Sequence, residues 1–166
     1  MHTNKLTIGL SAVALILLTL LIISLNSSRI DEQSRSNLIA LGKAEQIQRQ
    51  LTVLSTTAST YLEVAPREYD QFFRDVEVLH PTLMAVVESL GTAYDSLETL
   101  SLDPNLNHQI VADEWRTFRG ELDEQLGVDP DFPRLEWGAR HISEKLPPLI
   151  ASMDGLYSSL VGDSQS

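Results

Sequence analysis

Apolar residues along this chain follow two patterns. Residues 6–25 form an unbroken run of Leu, Ile, Val, Ala, Thr, Ser and Gly with no charged side chain. Beyond it, apolar positions recur at steps of three and four, the spacing of a helix with one buried face. The first such series is Ile30, Leu41, Ala44, Ile47, Leu51, Leu54, Ala58 and Tyr61, with Glu45, Gln46, Arg49 and Gln50 on the polar face. No proline precedes Ala65, so one long helix is expected to reach about Val64. Pro66 suits the first turn of a second helix. Its seam, Phe72, Val76, Leu79, Leu83, Val86, Leu90, Tyr94 and Leu97, keeps phase across Pro81. A single bent helix over residues 67–100 is predicted, with two shorter helices as the alternative.

Residues 101–105 read as a turn. A third helix carries Ile110, Val111, Trp115, Phe118, Leu122 and Leu126, and Gly127 is placed to cap it. After the loop 128–132, Pro133 opens a fourth helix with Leu135, Ala139, Ile142, Leu146, Leu149, Ile150, Met153, Leu156, Tyr157 and Leu160. Pro147 and Pro148 are expected to interrupt and bend it. Residues 162–166 read as a flexible polar tail. No stretch alternates as a strand does. Four amphipathic helices with short connections predict an all-α fold, an antiparallel up-and-down four-helix bundle over residues 26–161.

A helix rises roughly 1.5 Å per residue, so residues 6–25 are long enough for the ~30 Å hydrocarbon layer of a bilayer. The expected element is an N-terminal transmembrane signal anchor. A cleaved signal peptide is the alternative, but its apolar core is normally shorter and residues 24–28 offer no Ala-x-Ala site. Lys5 and the terminal amine precede the run, which favours a cytoplasmic N-terminus at residues 1–5 and an extracytoplasmic remainder. In a Gram-negative source this is a single-pass inner-membrane protein with a periplasmic bundle.

The chain carries a net charge of −11, with 23 Asp and Glu against 12 Lys and Arg, and every acid lies beyond residue 25. Such a surface repels phosphate backbones, which argues against nucleic acid as a partner. There is no cysteine, which excludes disulfides, thiolate metal sites and cysteine nucleophiles. No nucleophile elbow, phosphate loop or zinc-protease motif occurs, so no enzyme activity and no cofactor are expected.

Three strings resemble the sensor domain of type IV pilus methyl-accepting chemoreceptors, in the broad class that includes nitrate-sensor histidine kinases. Residues 44–58 read A-E-Q-I-Q-R-Q-L-T-V-L-S-T-T-A and are similar to that family's first helix with its Leu-x-Val-Leu-Ser core. Asp113, Glu114, Trp115, Arg116, Thr117 and Phe118 are similar to its W-x-x-F/L element. Residues 139–156, with Leu146, Pro147, Pro148 and Leu149, are similar to its helix ending in Leu-Pro-x-Leu. The resemblance implies a sensory or signal-modulating module without the signalling output domain. It implies a homodimer, or a heteromer with a full-length receptor. The family's arginines around the Leu-Ser core are threonines here, with Arg49 upstream, so nitrate-type anion sensing is not carried over.

The candidate ligand-binding residues are Arg49, Trp115, Arg116, Arg119 and Arg140. Trp115, Arg116, Phe118 and Arg119 cluster on the third helix, and the fourth supplies Trp137 and Arg140. An arginine in a pocket between helices could hold a small carboxylate ligand. The bland reading places Trp115 and Phe118 in the core and pairs the arginines with local acids. His141 and Glu144 have metal-binding spacing, but a di-iron bundle needs that motif twice. The histidines are therefore expected to be solvent-exposed and no metal site is expected. Asp129 and Asp131 lack the remaining oxygen ligands of a calcium site and read as turn residues.

Overall fold

In the computed structural model, residues 3–64 and 68–163 are described, with side chains described from residue 32 onward except Tyr69 and Asp163. Helices are the regular elements of this fold, with no strand among the described residues. Four long helices account for most of the chain: α1 (Thr3–Glu63), α3 (His80–Glu98), α4 (His108–Leu126) and α5 (Leu135–Asp163). A short α2 (Tyr69–Arg74) leads through a π turn at Asp75–Leu79 straight into α3. The placement of Pro66 in a first turn lies outside the described residues, as does the tail beyond residue 163.

α1 packs on α3 and α5, and α4 packs on the same two helices. The polar cross-links report the direction of the chains. Arg116 of α4 reaches Glu98 of α3, and Arg119, one turn later, reaches back to Glu88. α4 and α3 therefore run in opposite directions. Gln50 of α1 donates to the hydroxyl of Ser89 on α3 at 2.5 Å, and Gln48 donates to Asp154 on α5 at 2.7 Å.

The core is the helical seam. Ala44, Ile47, Leu51, Leu54 and Ala58 from α1 meet Leu83, Val87, Leu90 and Leu97 from α3. Trp115, Phe118, Leu122 and Leu126 from α4 meet Ile142, Leu146, Met153, Leu156 and Leu160 from α5. Ile110, expected in the third seam, is instead 55% exposed. The buried face of α4 runs through His108, Val111 and Ala112 instead.

Prolines shape two helices without breaking them. Pro81 lacks the N–H that Glu77 would receive in α-helical register. The turn before it widens, and the N–H of His80 donates to Asp75 five residues back. The extra residue shifts the buried face upstream by one position, so Asp75 is buried where the seam predicted Val76. Pro147 and Pro148 were expected to interrupt α5, but the helix runs through both. Both prolines are exposed, and so are Ser143 and Glu144, whose carbonyls lose their donors. Water can satisfy those carbonyls, so the helix continues.

The connections close on the helix ends. Asp103 accepts the N–H of Asn105 at 2.8 Å and starts a 3-10 turn at Pro104–Leu106. Asn107 then takes a left-handed conformation at φ 55°, which asparagine tolerates better than most residues. Gly127 ends α4 at φ 88°, as the sequence predicts, and donates to Asp123. Arg134 folds back over this end. Its N–H donates to Leu126 and its guanidinium to the carbonyl of Glu124, which satisfies orphan carbonyls of α4.

Two glycines test the packing in opposite senses. A Cβ on Gly138 would sit 2.5 Å from Cδ2 and 3.0 Å from Cγ of buried Leu126, whereas one on Gly155 meets nothing within 4 Å. Gly138→Leu should lower stability by about 1–3 kcal/mol. Gly155→Ala should raise it by about 0.5–1 kcal/mol. Urea denaturation followed by circular dichroism reads both.

Candidate functional site

Trp115 sits on the inward face of α4 because it falls three and four residues from Val111, Ala112 and Phe118. It is 3% exposed and stacks on Tyr94 of α3, with ring centroids 5.1 Å apart and planes 8° from parallel. Phe118 lies 5.6 Å from Trp115 and stacks in turn on His141 of α5 at 5.2 Å. Four rings thus cross the bundle from α3 through α4 to α5. Burial raises the pKa of the Tyr94 phenol well above its ordinary value, and the negative charge of Glu114 raises it further. Tyr94 therefore stays a neutral, packed hydroxyl.

The histidines depart from expectation. His108 and His141 are buried, and His80 is half-buried. His141 precedes Ile142 on the inward side of α5 and faces Glu121 of α4 at 3.7 Å. Glu144 is exposed and contributes nothing to that contact. Among the described residues, no group of three or more His, Cys, Asp and Glu could hold a metal ion. Asp129 and Asp131 are turn residues, with Asp129 accepting the N–H of Asp131 at 3.0 Å.

Each arginine singled out from the sequence is closed on carboxylates. Arg49 pairs with Glu45 at 2.5 Å on the exposed side of α1. Arg116 is held by Glu98 and Asp113, and the hydrogen bond to Glu98 raises its already high pKa further. Arg119 bridges Asp123 at 2.9 Å and Glu88 at 3.0 Å. Arg140 pairs with Glu136 at 2.9 Å. Trp137 and Arg140 do not join the Trp115 cluster. Trp137 is 61% exposed, and Arg134 lies 6.0 Å over its ring. The structure therefore brings Trp115 and Phe118 together in the core but not the five candidates into one pocket.

Sequence reading missed the polar group beside the π turn. Gln71 donates to Asp75 at 2.9 Å and accepts from Arg74 at 2.9 Å, so one amide stands between a buried acid and an exposed cation. The three residues line a cleft between the end of α1 and the start of the second helical segment. The signal that could have found it was Pro81, since a proline in a helix that keeps its phase calls for a compensating turn.

No family model, curated protein or solved structure matches the chain.

Two measurements check these roles. Trp115→Ala should cost about 3–5 kcal/mol of unfolding free energy, as for other large core aromatics. A double-mutant cycle between Arg119 and Glu88 should give a coupling of only about 0.2–1 kcal/mol, because that pair is partly solvated. Burial also lowers the pKa of His80 from its ordinary 6.5. The unfolded chain then takes up the proton first, so this contribution to stability is present above the unfolded pKa and is lost as pH falls through the folded one. Between about pH 8 and about pH 5, His80→Gln should show a smaller loss of stability than the wild-type chain.

Proposed function

We propose that the chain is a membrane-anchored extracytoplasmic sensory or signal-modulating module, similar to the sensor domain of type IV pilus chemoreceptors. On this reading residues 6–25 anchor it in a bacterial inner membrane. The N-terminus is cytoplasmic, and the rest is an antiparallel up-and-down four-helix bundle in the periplasm. It has no catalytic role and no cofactor. It works with a second copy of itself or with a full-length receptor.

The observation that carries the reading is the continuity of α1 from Thr3 to Glu63. An uncharged apolar run and a bundle core on one unbroken helix form a stiff rod. A change in how the core packs would be passed along that rod by small sliding or rotation. The direct residue evidence for the anchor is the composition of residues 6–25. No helix among the described residues is found long and apolar enough to cross a membrane, and the side chains of the expected span, residues 6–25, are not among those described.

A second reading has its own support. All four arginines proposed as ligand holders are already closed on carboxylates. That favours an envelope scaffold whose bundle binds another protein and no small ligand.

Two measurements test the readings. An alkaline phosphatase fused after residue 166 should be active if the bundle lies outside the cytoplasm, and an inactive fusion with cytosolic bundle would sink both readings. The full chain in detergent micelles should show a raised melting temperature with some member of a panel of amino acids, organic acids and nitrate. A flat panel, with a ligand-independent complex captured by cross-linking in cells, would leave the scaffold.

A further inference from the structure

α4 and α5 run antiparallel: a Cβ on Gly138 would fall against Leu126, and eight residues' travel along both helices is bracketed by His141 facing Glu121 and by Leu149 sharing a groove with Ile110. That groove has a volume of about 470 Å³. Its α4 wall runs from Ile110 to Glu121, about 16 Å of helix or roughly three turns. Phe118 and Leu149 are buried and form the floor. Ile110 and Pro148 are exposed apolar lips on either side. Ile110 is thus an apolar residue left out of the core but placed beside an apolar floor.

The walls are acidic. Asp113 is closed on Arg116, and the hydroxyl of Thr117 donates to the carbonyl of Asp113. Glu121 faces His141 at 3.7 Å and holds no hydrogen bond. One oxygen of Glu114 has no hydrogen-bond partner, so this carboxylate can turn to a new donor without breaking a bond there. On α5, Pro148 lacks the N–H that the carbonyl of Glu144 would receive. Glu144 is exposed and lies one turn from Pro148 on the same flank. Lys145 is the base that lines the groove among the described residues. Unmet acceptors therefore outnumber donors along it.

We propose that this groove docks a helix of another protein whose apolar stripe is flanked by lysines or arginines. The proposal rests on the view, shared by the heteromeric sensor and the scaffold, that the bundle binds another protein. It names the face and the partner's chemistry. The stripe covers Ile110, Phe118, Pro148 and Leu149, and the cations meet Glu114, Glu121 and the carbonyl of Glu144. Charge selects this occupant. A second copy of the chain would bring a net charge of −11 against these acids. An anionic lipid surface is repelled for the same reason. A small amine would meet one carboxylate and leave most of the apolar lining wet.

The test is fluorescence anisotropy of a labelled Leu–Lys peptide of about four turns, patterned to give a helix with one apolar face. It is titrated with the full chain in zwitterionic lipid nanodiscs, and empty nanodiscs give the lipid background. The chain should bind the peptide above that background. Glu114→Gln combined with Glu121→Gln should weaken binding by about tenfold or more. Ile110→Asp, at an exposed position, should do the same. Glu77→Gln combined with Asp95→Asn removes equal charge at exposed positions of the π turn and α3, which do not form the groove, and should change affinity by less than about twofold. A Leu–Glu peptide of the same pattern, and a Leu–Lys peptide scrambled to spread its leucines around the helix, should stay at background. Circular dichroism checks that each variant folds. Binding at background, binding of the Leu–Glu peptide, or equal weakening by the two double variants overturns the proposal. A dimer of the chain that the groove variants dissolve in sedimentation would assign the groove to a second copy and overturn it too. An inactive phosphatase fusion would remove the envelope location and leave the groove standing, whereas a failed titration does the reverse.

Discussion

Everything in this molecule hangs on the apolar seam of α1 meeting α3 and α5. Ala44, Ile47, Leu51, Leu54 and Ala58 are almost completely withdrawn from solvent, and they recur at steps of three and four. Burying one Leu or Ile side chain is worth about 1.5–3 kcal/mol. A surface ion pair is worth about 0–1 kcal/mol. The seam therefore sets where each helix lies, and the charges adjust to it. Alanines at 40, 44 and 58 flank the three large residues Ile47, Leu51 and Leu54 along the buried face of α1.

The charge pattern follows from that hierarchy. With acids outnumbering bases about two to one over the chain, an arginine on the surface finds a carboxylate within a turn or on the next helix. Arg49, Arg116, Arg119 and Arg140 all do so. Such pairs trim repulsion within an acidic surface, and they leave little cationic character for a ligand. Arg74 bonds instead, among the described residues, the amide oxygen of Gln71, which itself donates to Asp75.

Two proline sites are accommodated in two different ways. At Pro81 the helix widens by one residue, because the upstream seam must still reach the core. At Pro147 and Pro148 no widening occurs, and the carbonyls of exposed Ser143 and Glu144 go without their helical donors. The first solution accompanies the burial of an acidic residue, Asp75. The second leaves a regular helix and no polar feature.

The helical class, the four long segments and most of their buried faces were legible in the chain itself. Apolar residues at steps of three and four are a local property, as are the turn signals of residues 101–105 and Gly127. The burial of Trp115 and Phe118 was readable in the same way, since both fall on the seam of their own helix. What the chain alone could not show is which charged groups meet. The partners of Arg116 and Arg119 on α3 lie far away in sequence and become neighbours only when antiparallel helices pack. The burial of His141 against Phe118, the one-residue shift that buries Asp75, and the exposure of Ile110 have the same origin. Periodicity marks a face to within about one residue, and only the neighbouring helix decides where that face ends.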